Sequence, residues 1–418
     1  GLRRGGRGYY ALDVSDPDLL PRLAWRIRPG GEFEELALGF SKPLVGQVKF
    51  EALPRDVLIF GAGYHGGWSE DGASRVGKDL GFADDPVGNA IYIVDARSGE
   101  LIWKAVRGAT GSASERHYEH AGLTDSIPSP VAALRTSDGI IHRLYVGDTG
   151  GTVWRVDLPP GEGERHRRDN WTISVLADLG RDPDETDGSA ARDLRFFHPP
   201  EIVRSFDATG AFEGVLVQSG NRANPLDTSA QDHLFYLKDR NVAGGRGLQG
   251  QAAKDHDRVS RYQFEDLVDR TECVEATGID AGGTNCSEQQ LSAGWKLRFS
   301  RPGEKGLSKP LVDGGRVFAT TYTPPVENSC SALQGQGHLY ALDLQDATAL
   351  AGGVRVRELG PGIPPEPLHL GDLILLPGGG VDLDDFSPGS GAGVGKLVPT
   401  AAPQRYRVYW REPSMDPL

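Results

Sequence analysis

Five apolar segments of the chain end in the same way, with an aromatic residue followed three positions later by aspartate. These segments are residues 10–13, 92–95, 154–157, 236–239 and 340–343. Alternate residues of a strand share a face, and an aspartate at its end can accept hydrogen bonds from the backbone of the next turn. The recurrence therefore predicts a β protein made of repeated units. The copies lie further apart than the roughly 40–50 residues of a propeller repeat. We therefore expect long insertions between units, or units that lack the pattern.

The segment 142–158 is the clearest hairpin of the chain. Residues 144–146 and 152–158 read as its two strands, and 147–151 is a glycine-rich turn. We expect glycine to allow the tight turn and the Asp148 carboxylate to bind the turn backbone. Arg155 interrupts an otherwise apolar return strand, which predicts that one face of this strand is wet.

The composition fits many short strands joined by turns, because the 418 residues include 57 Gly and 28 Pro. The formal net charge of −13 argues against a general nucleic-acid binder, which needs clustered cations to neutralise phosphates. No apolar run reaches membrane-spanning length, and no signal peptide is recognisable. The chain begins with Gly and enters a strand at once, so we expect it to be a fragment or mature portion of a longer protein.

In chain order, the apolar segments predict four fairly complete blades and two partial ones, with antiparallel strands. This pattern favours an all-β propeller over a sandwich or an α/β fold. We interpret residues 1–418 as one propeller domain with long inter-strand insertions, incomplete at its N-terminus. A mixed insertion lies around 241–292, with a candidate helix at 263–268, and a C-terminal tail covers 400–418.

Three cysteines bear on the compartment of the protein. Cys273 and Cys286 lie in one polar loop and are candidates for a disulfide, whereas Cys330 is left to pair elsewhere or to stay free. The chain has no CxxC motif and no His/Cys spacing typical of a zinc site. An exported protein with one disulfide fits this pattern, and a reduced cytosolic chain stays open as an alternative.

Several segments, taken in order, resemble the C-terminal propeller of the PilY/PilC family of type IV pilus biogenesis factors and tip-associated adhesins. They are residues 5–14, 40–43, 126–129, 143–151, 320–324, 330–332 and 409–412. The resemblance implies a seven-bladed propeller without enzymatic activity that regulates pilus assembly and retraction and adhesion. It also implies a place at the pilus tip or bacterial cell surface, reached through the periplasm and outer membrane. The implied partners are minor pilins, other tip proteins and a host or abiotic surface.

The family has a calcium loop just before the central hairpin, and this chain departs from it. With Gly139 set on the loop glycine, the ligand positions fall on Leu134, Thr136, Asp138 and His142. Calcium takes six to eight oxygen ligands, mostly from carboxylates, and only Asp138 supplies one here. The neighbouring cation of Arg135 would also repel a metal. We therefore expect no calcium at residues 134–142 and no other cofactor.

Two enzyme classes compete with this interpretation. A quinoprotein (pyrroloquinoline-quinone) dehydrogenase has similar strands, such as residues 92–103, but the chain has no Cys-Cys pair and no evident ligand set for the cofactor. A hydrolase would use some of the scattered histidines, yet neither GxSxG nor HExxH occurs. The histidines considered are His65, His117, His120, His142, His198 and His233.

Propellers bind partners through the loops of one rim or through the central channel. The long insertions at 65–88, 107–126, 181–197 and 241–292 are therefore the candidate binding segments. The tail residues Tyr406, Tyr409, Trp410 and Arg411 form either a partner anchor or a closing strand of the ring.

Overall fold

A computed structural model describes residues 1–375. It leaves out residues 2, 4, 52, 70–71, 81–82, 160–167, 181–191, 243–260, 276, 281, 326–333, 351–353 and 371–372. This part of the chain consists of strands, short 3-10 turns and loops, and it contains no α-helix. The strands are β1 Tyr9–Asp13, β2 Arg22–Ile27, β3 Leu44–Phe50, β4 Leu53–Gly61, β5 Ile91–Asp95, β6 Leu101–Val106, β7 His117–Glu119, β8 Ala132–Arg135, β9 Ile141–Gly147, β10 Thr152–Asp157, β11 Thr172–Asp178, β12 Glu201–Asp207, β13 Gly210–Gln218, β14 His233–Asp239, β15 Tyr262–Gln263, β16 Val268–Asp269, β17 Gly294–Arg298, β18 Lys305–Gly306, β19 Leu311–Asp313, β20 Arg316–Thr323, β21 Gln336–Asp343, β22 Val356–Pro361, β23 Leu368–Leu370 and β24 Leu373–Leu375.

Four sheets have the strand order of propeller blades. Blade 1 is β3-β4-β5-β6-β7, and blade 2 is β8-β9-β10-β11-β15. Blade 3 is β12-β13-β14-β17-β16, and blade 4 is β20-β21-β22 with β18 and β19 both beside β20. The strands β1-β2 and β23-β24 form two further hairpins. An all-β propeller with four main blades and two partial ones is thus confirmed within the described residues.

Blades 1 to 3 each carry a fifth strand that the sequence did not indicate. A four-stranded antiparallel sheet is extended at its outer edge by a short parallel strand: β7 beside β6, β15 beside β11, and β16 beside β17. The predicted helix at 263–268 was wrong, because this segment forms β15, the 3-10 turn Phe264–Asp266 and the start of β16. Pairing with two blade edges holds it extended, which overrides local helix propensity.

Apolar side chains fill the spaces between successive blades. Members of three buried clusters, taken from blade 1 towards blade 4, are Trp103 with Trp154, Tyr145 with Phe235, and Leu216 with Leu342. Each fully buried side chain of this size stabilises the fold by roughly 1.5–3 kcal/mol. Strand β9 is buried along its whole length, as expected for a strand packed on both faces.

The strand-end aspartates act on the following turns as predicted in four of the five copies. The carboxylates of Asp13, Asp95, Asp239 and Asp343 each accept a hydrogen bond from the backbone N–H two residues later. In the central hairpin, Asp148 Oδ1 accepts from Gly150 N and Thr152 N, both at 2.9 Å. That hairpin is also confirmed.

The remaining copy, residues 154–157, differs from the other four. The prediction that one face of the strand is wet at Arg155 was wrong. Arg155 is 0% exposed. Its guanidinium donates to Asp157 Oδ2 at 2.7 Å and to Asp239 Oδ2 at 2.7 Å, so it lies in a charged network between blades 2 and 3. Arg143 extends the network through Asp157 Oδ1 at 2.8 Å and Glu213 Oε2 at 2.6 Å.

The alternating strand directions divide the loops between two faces of the propeller. Residues 62–90, 107–131, 192–200 and 219–232 follow strands that run in one direction and form what we call the upper face. The turn at 136–140 and the described residues of the connection before β17 lie on the opposite, lower face. Where they are described, three of the four insertions predicted to bind (65–88, 107–126 and 181–197) are therefore on the upper face, and 241–292 is on the other.

Candidate functional site

A cavity of about 580 Å³ opens on the upper face. Its walls come from the insertion after β4, from residues 193–195 before β12, and from residues 221–229 after β13. A loop of blade 1, the connection between blades 2 and 3, and a loop of blade 3 thus meet around it. This volume falls within the roughly 300–1,000 Å³ of small-molecule pockets.

Arg195 joins the walls of the cavity. It is 4% exposed, and its Nε and Nη2 atoms donate to Asp193 Oδ2 at 3.0 and 2.8 Å. Its Nη1 atom bonds Asp79 Oδ1 in the opposite wall, where Tyr64 also donates to Asp79 Oδ2 at 2.6 Å. Burial alone would raise the pKa of Asp79, but the Arg195 charge and these hydrogen bonds outweigh it and hold that pKa below its usual value. The two walls are therefore held by charge-assisted bonds.

Trp68 and Arg75 form one edge of the cavity. Trp68 is 51% exposed, and Arg75 Cζ lies 5.0 Å from the centroid of its ring. A cation–π contact of this kind is worth roughly 0.5–1 kcal/mol at an exposed site. Among the residues described, the nearest carboxylate oxygen to Arg75, Asp79 Oδ2, is 3.8 Å away. Within that part of the chain, most of the hydrogen-bonding capacity of the Arg75 guanidinium is therefore open.

The third wall is a loop that caps itself. Asn221 Oδ1 accepts from the backbone N–H groups of Ala223 and Asn224, both at 3.1 Å. Asp227 Oδ1 accepts from Ser229 N at 3.0 Å and from Ser229 Oγ at 2.8 Å. These local bonds fix the loop and leave the Asn224 side chain exposed at the cavity.

A buried polar layer supports the cavity from below. Lys78 Nζ lies 3.3 Å from Asp125 Oδ1, and the Lys78 backbone N–H donates to Asp85 Oδ1 at 2.9 Å. Asp85 Oδ2 also accepts from Ser126 N at 3.0 Å, which ties the upper loops on either side of blade 1 together. Burial, and then the nearby Asp125 carboxylate, raise the pKa of Asp148 well above its usual value. This layer gives the site a rigid base.

The loop aligned with the family's calcium site is a tight turn on the lower face. Thr136 Oγ1 accepts from Ile140 N at 3.1 Å and also contacts Asp138 Oδ1, whose residue is exposed. Gly139 has φ +85°, a conformation that suits glycine. Leu134 instead packs against the apolar cluster between blades 2 and 3. The four positions thus do not converge on one point.

Side chains of the strands that flank this turn, β8 and β9, link neighbouring blades. Arg135 Nη2 donates to Val45 O of blade 1 at 3.0 Å. His142 is buried, and its Nε2 atom lies 3.3 Å from Arg204 Nη2 of blade 3. Burial, followed by the charges of Arg143 and Arg204, lowers the pKa of His142 to about 4. Among the described residues, no group of three His, Cys, Asp or Glu side chains is placed to hold a metal ion.

The structure contains the disulfide between Cys273 and Cys286, with a Cα–Cα distance of 5.7 Å. Arg270 Nη1 donates to Cys286 O at 2.8 Å and its Nε to Asp346 O at 2.7 Å, which anchors the disulfide loop to blade 4. Cys330 and the four tail residues named above lie outside the described residues. The six histidines occupy separate strands and loops.

Sequence reasoning found two of the three walls of the cavity and missed the third. The insertions 65–88 and 181–197 contain Asp79 and Arg195. Residues 221–229 look like an ordinary connection, because they are short. The Asn, Pro and Asp residues of this loop signal a turn, but they do not indicate that the loop faces the other two walls.

Blades of antiparallel strands, with loops on one face that enclose a polar cavity, define this chain as a β-propeller scaffold. No model of a known protein family matches it. The type IV pilus biogenesis factor PilY1 of Pseudomonas aeruginosa strain UCBPP-PA14 is 31% identical over 362 residues, which cover 77% of this chain and 28% of that relative. A PilY1 homolog of Xylella fastidiosa is 24% identical over 371 residues, which cover 86% of this chain and 22% of the relative.

One solved structure supports the fold. The crystal structure of the P. aeruginosa PilY1 C-terminal domain matches with a TM-score of 0.55 and 20% identity, covering 83% of this chain and 67% of that chain. The chain belongs to the PilY1 family of type IV pilus biogenesis factors. It spans about a quarter of the length of the curated relatives it matches. A quinohemoprotein alcohol dehydrogenase of Comamonas testosteroni matches with 12% identity and a TM-score of 0.35, a similarity too low to carry an argument.

Proposed function

We propose that this chain is a non-enzymatic scaffold of a type IV pilus biogenesis factor that binds minor pilins, other tip proteins or a surface ligand. Its place is the pilus tip or bacterial cell surface, and its effect is on pilus assembly, retraction and adhesion. Family membership supports this role. The observation that carries the binding proposal is the upper-face cavity, whose walls come from different blades and are joined by Arg195.

The proposal treats residues 1–418 as one propeller domain of the seven-bladed type. A partner docked on the upper face would contact loops of several blades at once. A surface shaped by packed blades changes little on binding, which favours affinity. No helix of the described residues is long and apolar enough to cross a membrane.

The proposed scaffold uses no calcium at residues 134–142. Asp138 is the only carboxylate at the four aligned positions, and Arg135 directs its guanidinium to backbone carbonyls of blade 1 and of the turn itself. Any calcium control of retraction would therefore have to act at another site. The quinoprotein alternative is not favoured, because the chain belongs to a family of pilus factors.

Two arginine substitutions at opposite ends of blade 3 test the binding face. Asn224→Arg places a large cation at the cavity, and Ala208→Arg places the same group on the exposed turn between β12 and β13. The soluble domains of the source bacterium's minor pilins are titrated into each variant by calorimetry. We expect Asn224→Arg to weaken binding by about tenfold or more, a cost of roughly 1.4 kcal/mol, with Ala208→Arg unchanged. Equal affinities for both variants, or weakening by Ala208→Arg alone, would contradict the proposed face.

A further inference from the structure

The charged groups that line the upper-face cavity balance one another. Three cations and three carboxylates contribute to its walls: Arg75, Lys78, Arg195, Asp79, Asp193 and Asp227. Arg195 is paired with Asp79 and Asp193, and Lys78 is paired with Asp125. Among the described residues that line it, the cavity therefore has no surplus charge to attract a small ion. Its lining suits a neutral ligand whose groups both donate and accept hydrogen bonds, which is the chemistry of hydroxyl groups.

Trp68 supplies a flat apolar surface at the edge of the same cavity. The Arg75 guanidinium lies over the ring, and the side chain is still 51% exposed, so a large part of the indole surface is open. Arg75 also restricts how the indole can turn. A sugar ring has an apolar face of C–H groups that can pack on such a surface, while its hydroxyls point outward from the ring edge.

Open hydrogen-bonding groups lie near this aromatic surface. Among the residues described, the Arg75 guanidinium has its nearest carboxylate oxygen at 3.8 Å, and no hydrogen bond engages the exposed Asn224 amide. Asp193 is 8% exposed, and its Oδ1 atom has no hydrogen-bond partner among the residues described. This Oδ1 atom has almost no accessible surface, so it is not counted among the groups that a ligand can reach.

We propose that the upper-face cavity is a saccharide-binding site, in which one sugar ring packs on Trp68 while its hydroxyls bond Arg75 and Asn224. The inference rests on the proposed function and deepens it, because it names the class of surface ligand. The bonds from Arg195 to both walls hold these groups in place before binding, which lowers the entropic cost of capturing a weak ligand. An acidic peptide fits less well, because Asp193 and Asp227 face the cavity and Arg75 is the cation with open donors.

The test titrates the intact chain with a panel of free saccharides. The panel contains glucose, galactose, mannose, rhamnose, fucose, N-acetylglucosamine, N-acetylgalactosamine and disaccharides of these sugars, and a tetra-aspartate peptide is run beside it. Binding is followed by saturation-transfer NMR and by tryptophan fluorescence. We expect at least one saccharide to bind with a Kd in the millimolar range or tighter, and the peptide not to bind.

Four variants locate the site. We expect Trp68→Ala to weaken saccharide binding by about tenfold or more, and Trp68→Phe to keep part of the affinity because it keeps a ring. Arg75→Gln should weaken binding by about three- to tenfold, since it keeps hydrogen-bonding groups but loses the guanidinium. The control is Phe206→Ala, which removes another exposed aromatic ring, 72% accessible, at the lower end of β12. It should bind as the unchanged chain does, and melting curves confirm that each variant is folded.

Three outcomes would overturn the saccharide site. They are no binding by any sugar of the panel, sugar binding that Trp68→Ala and Arg75→Gln leave unchanged, and binding of the acidic peptide instead. If no sugar binds but minor pilins still bind in a manner that depends on Asn224, only the saccharide inference is contradicted. If a folded chain binds neither sugars nor minor pilins, the proposed function is contradicted as well.

Discussion

The buried network between blades 2 and 3 makes Arg155 the side chain whose loss should cost the fold most. Arg155 donates five hydrogen bonds, to both oxygens of Asp157, both oxygens of Asp239 and the carbonyl of Asn241. Arg155→Met removes the charge and keeps a chain of similar shape. The Asp157 and Asp239 side chains, 7% and 0% exposed, would then be left buried without this partner.

The expected loss follows from the cost of an uncompensated buried charge. Breaking a buried pair by removing one partner costs roughly 3–5 kcal/mol. For a cooperative chain of 418 residues, an unfolding entropy of about 2.1 cal/mol/K per residue converts this to a fall in Tm of roughly 3–6 °C. The assay is differential scanning calorimetry near neutral pH, with urea unfolding as a second measure.

The control is Arg97→Met, which makes the same substitution at a surface arginine, in the turn that follows β5. Its side chain is 86% exposed, and its contact with Asp56 is 3.6 Å long. This variant should stay within about 0.5 kcal/mol of the unchanged protein. Adding Asp239→Asn to Arg155→Met should recover part of the loss, because it removes one of the stranded charges. A Tm for Arg155→Met equal to that of Arg97→Met would refute the reasoning about the network.

Three further predictions concern pH, the disulfide and calcium. Burial raises the pKa of Asp232 to about 7, above its value in the unfolded chain, so its contribution to stability is fully present below about pH 4 and is lost progressively as the pH rises to about 7. The stability of Asp232→Asn relative to the unchanged protein should therefore increase from about pH 4 to about pH 7, by roughly 4 kcal/mol at most, and a gap in Tm that stays constant over this range would contradict this. Cys273→Ser opens the loop to Cys286 and should cost roughly 2–4 kcal/mol by urea unfolding, whereas an unchanged urea midpoint would show that the disulfide contributes nothing. Addition of Ca²⁺ to chelator-treated protein should produce neither calorimetric heat nor a change in Tm, and a micromolar signal would show a calcium site elsewhere.

The features that could be predicted from sequence are local ones. Asp95 and Asp148 bind backbone groups within four residues of themselves, so all the residues that form each turn are close together in the sequence. The hairpin β9-β10 and the disulfide also join nearby segments. Side-chain period and turn residues are enough to find such features.

The features that could not be predicted depend on how blades meet. Arg155 looked solvent-exposed because Asp239, its partner in blade 3, lies 84 residues further along the chain. Phe264 was assigned to a helix, yet its ring packs 6.1 Å from that of Phe235 within a segment paired to two blade edges. The cavity also depends on contacts between distant segments, since Asp79 and Arg195 are 116 residues apart in the sequence. A single sequence contains no signal for such pairings.

Hydrogen–deuterium exchange of the intact chain, with and without the soluble domains of its minor pilins, tests the central claim most directly. The account predicts slower exchange on binding in residues 62–80 and 219–232 of the upper face, with no change at residues 136–140 and 262–293 of the lower face. Protection confined to the lower face, or no protection at a pilin concentration well above that of the chain, would contradict a scaffold that binds through its upper-face cavity.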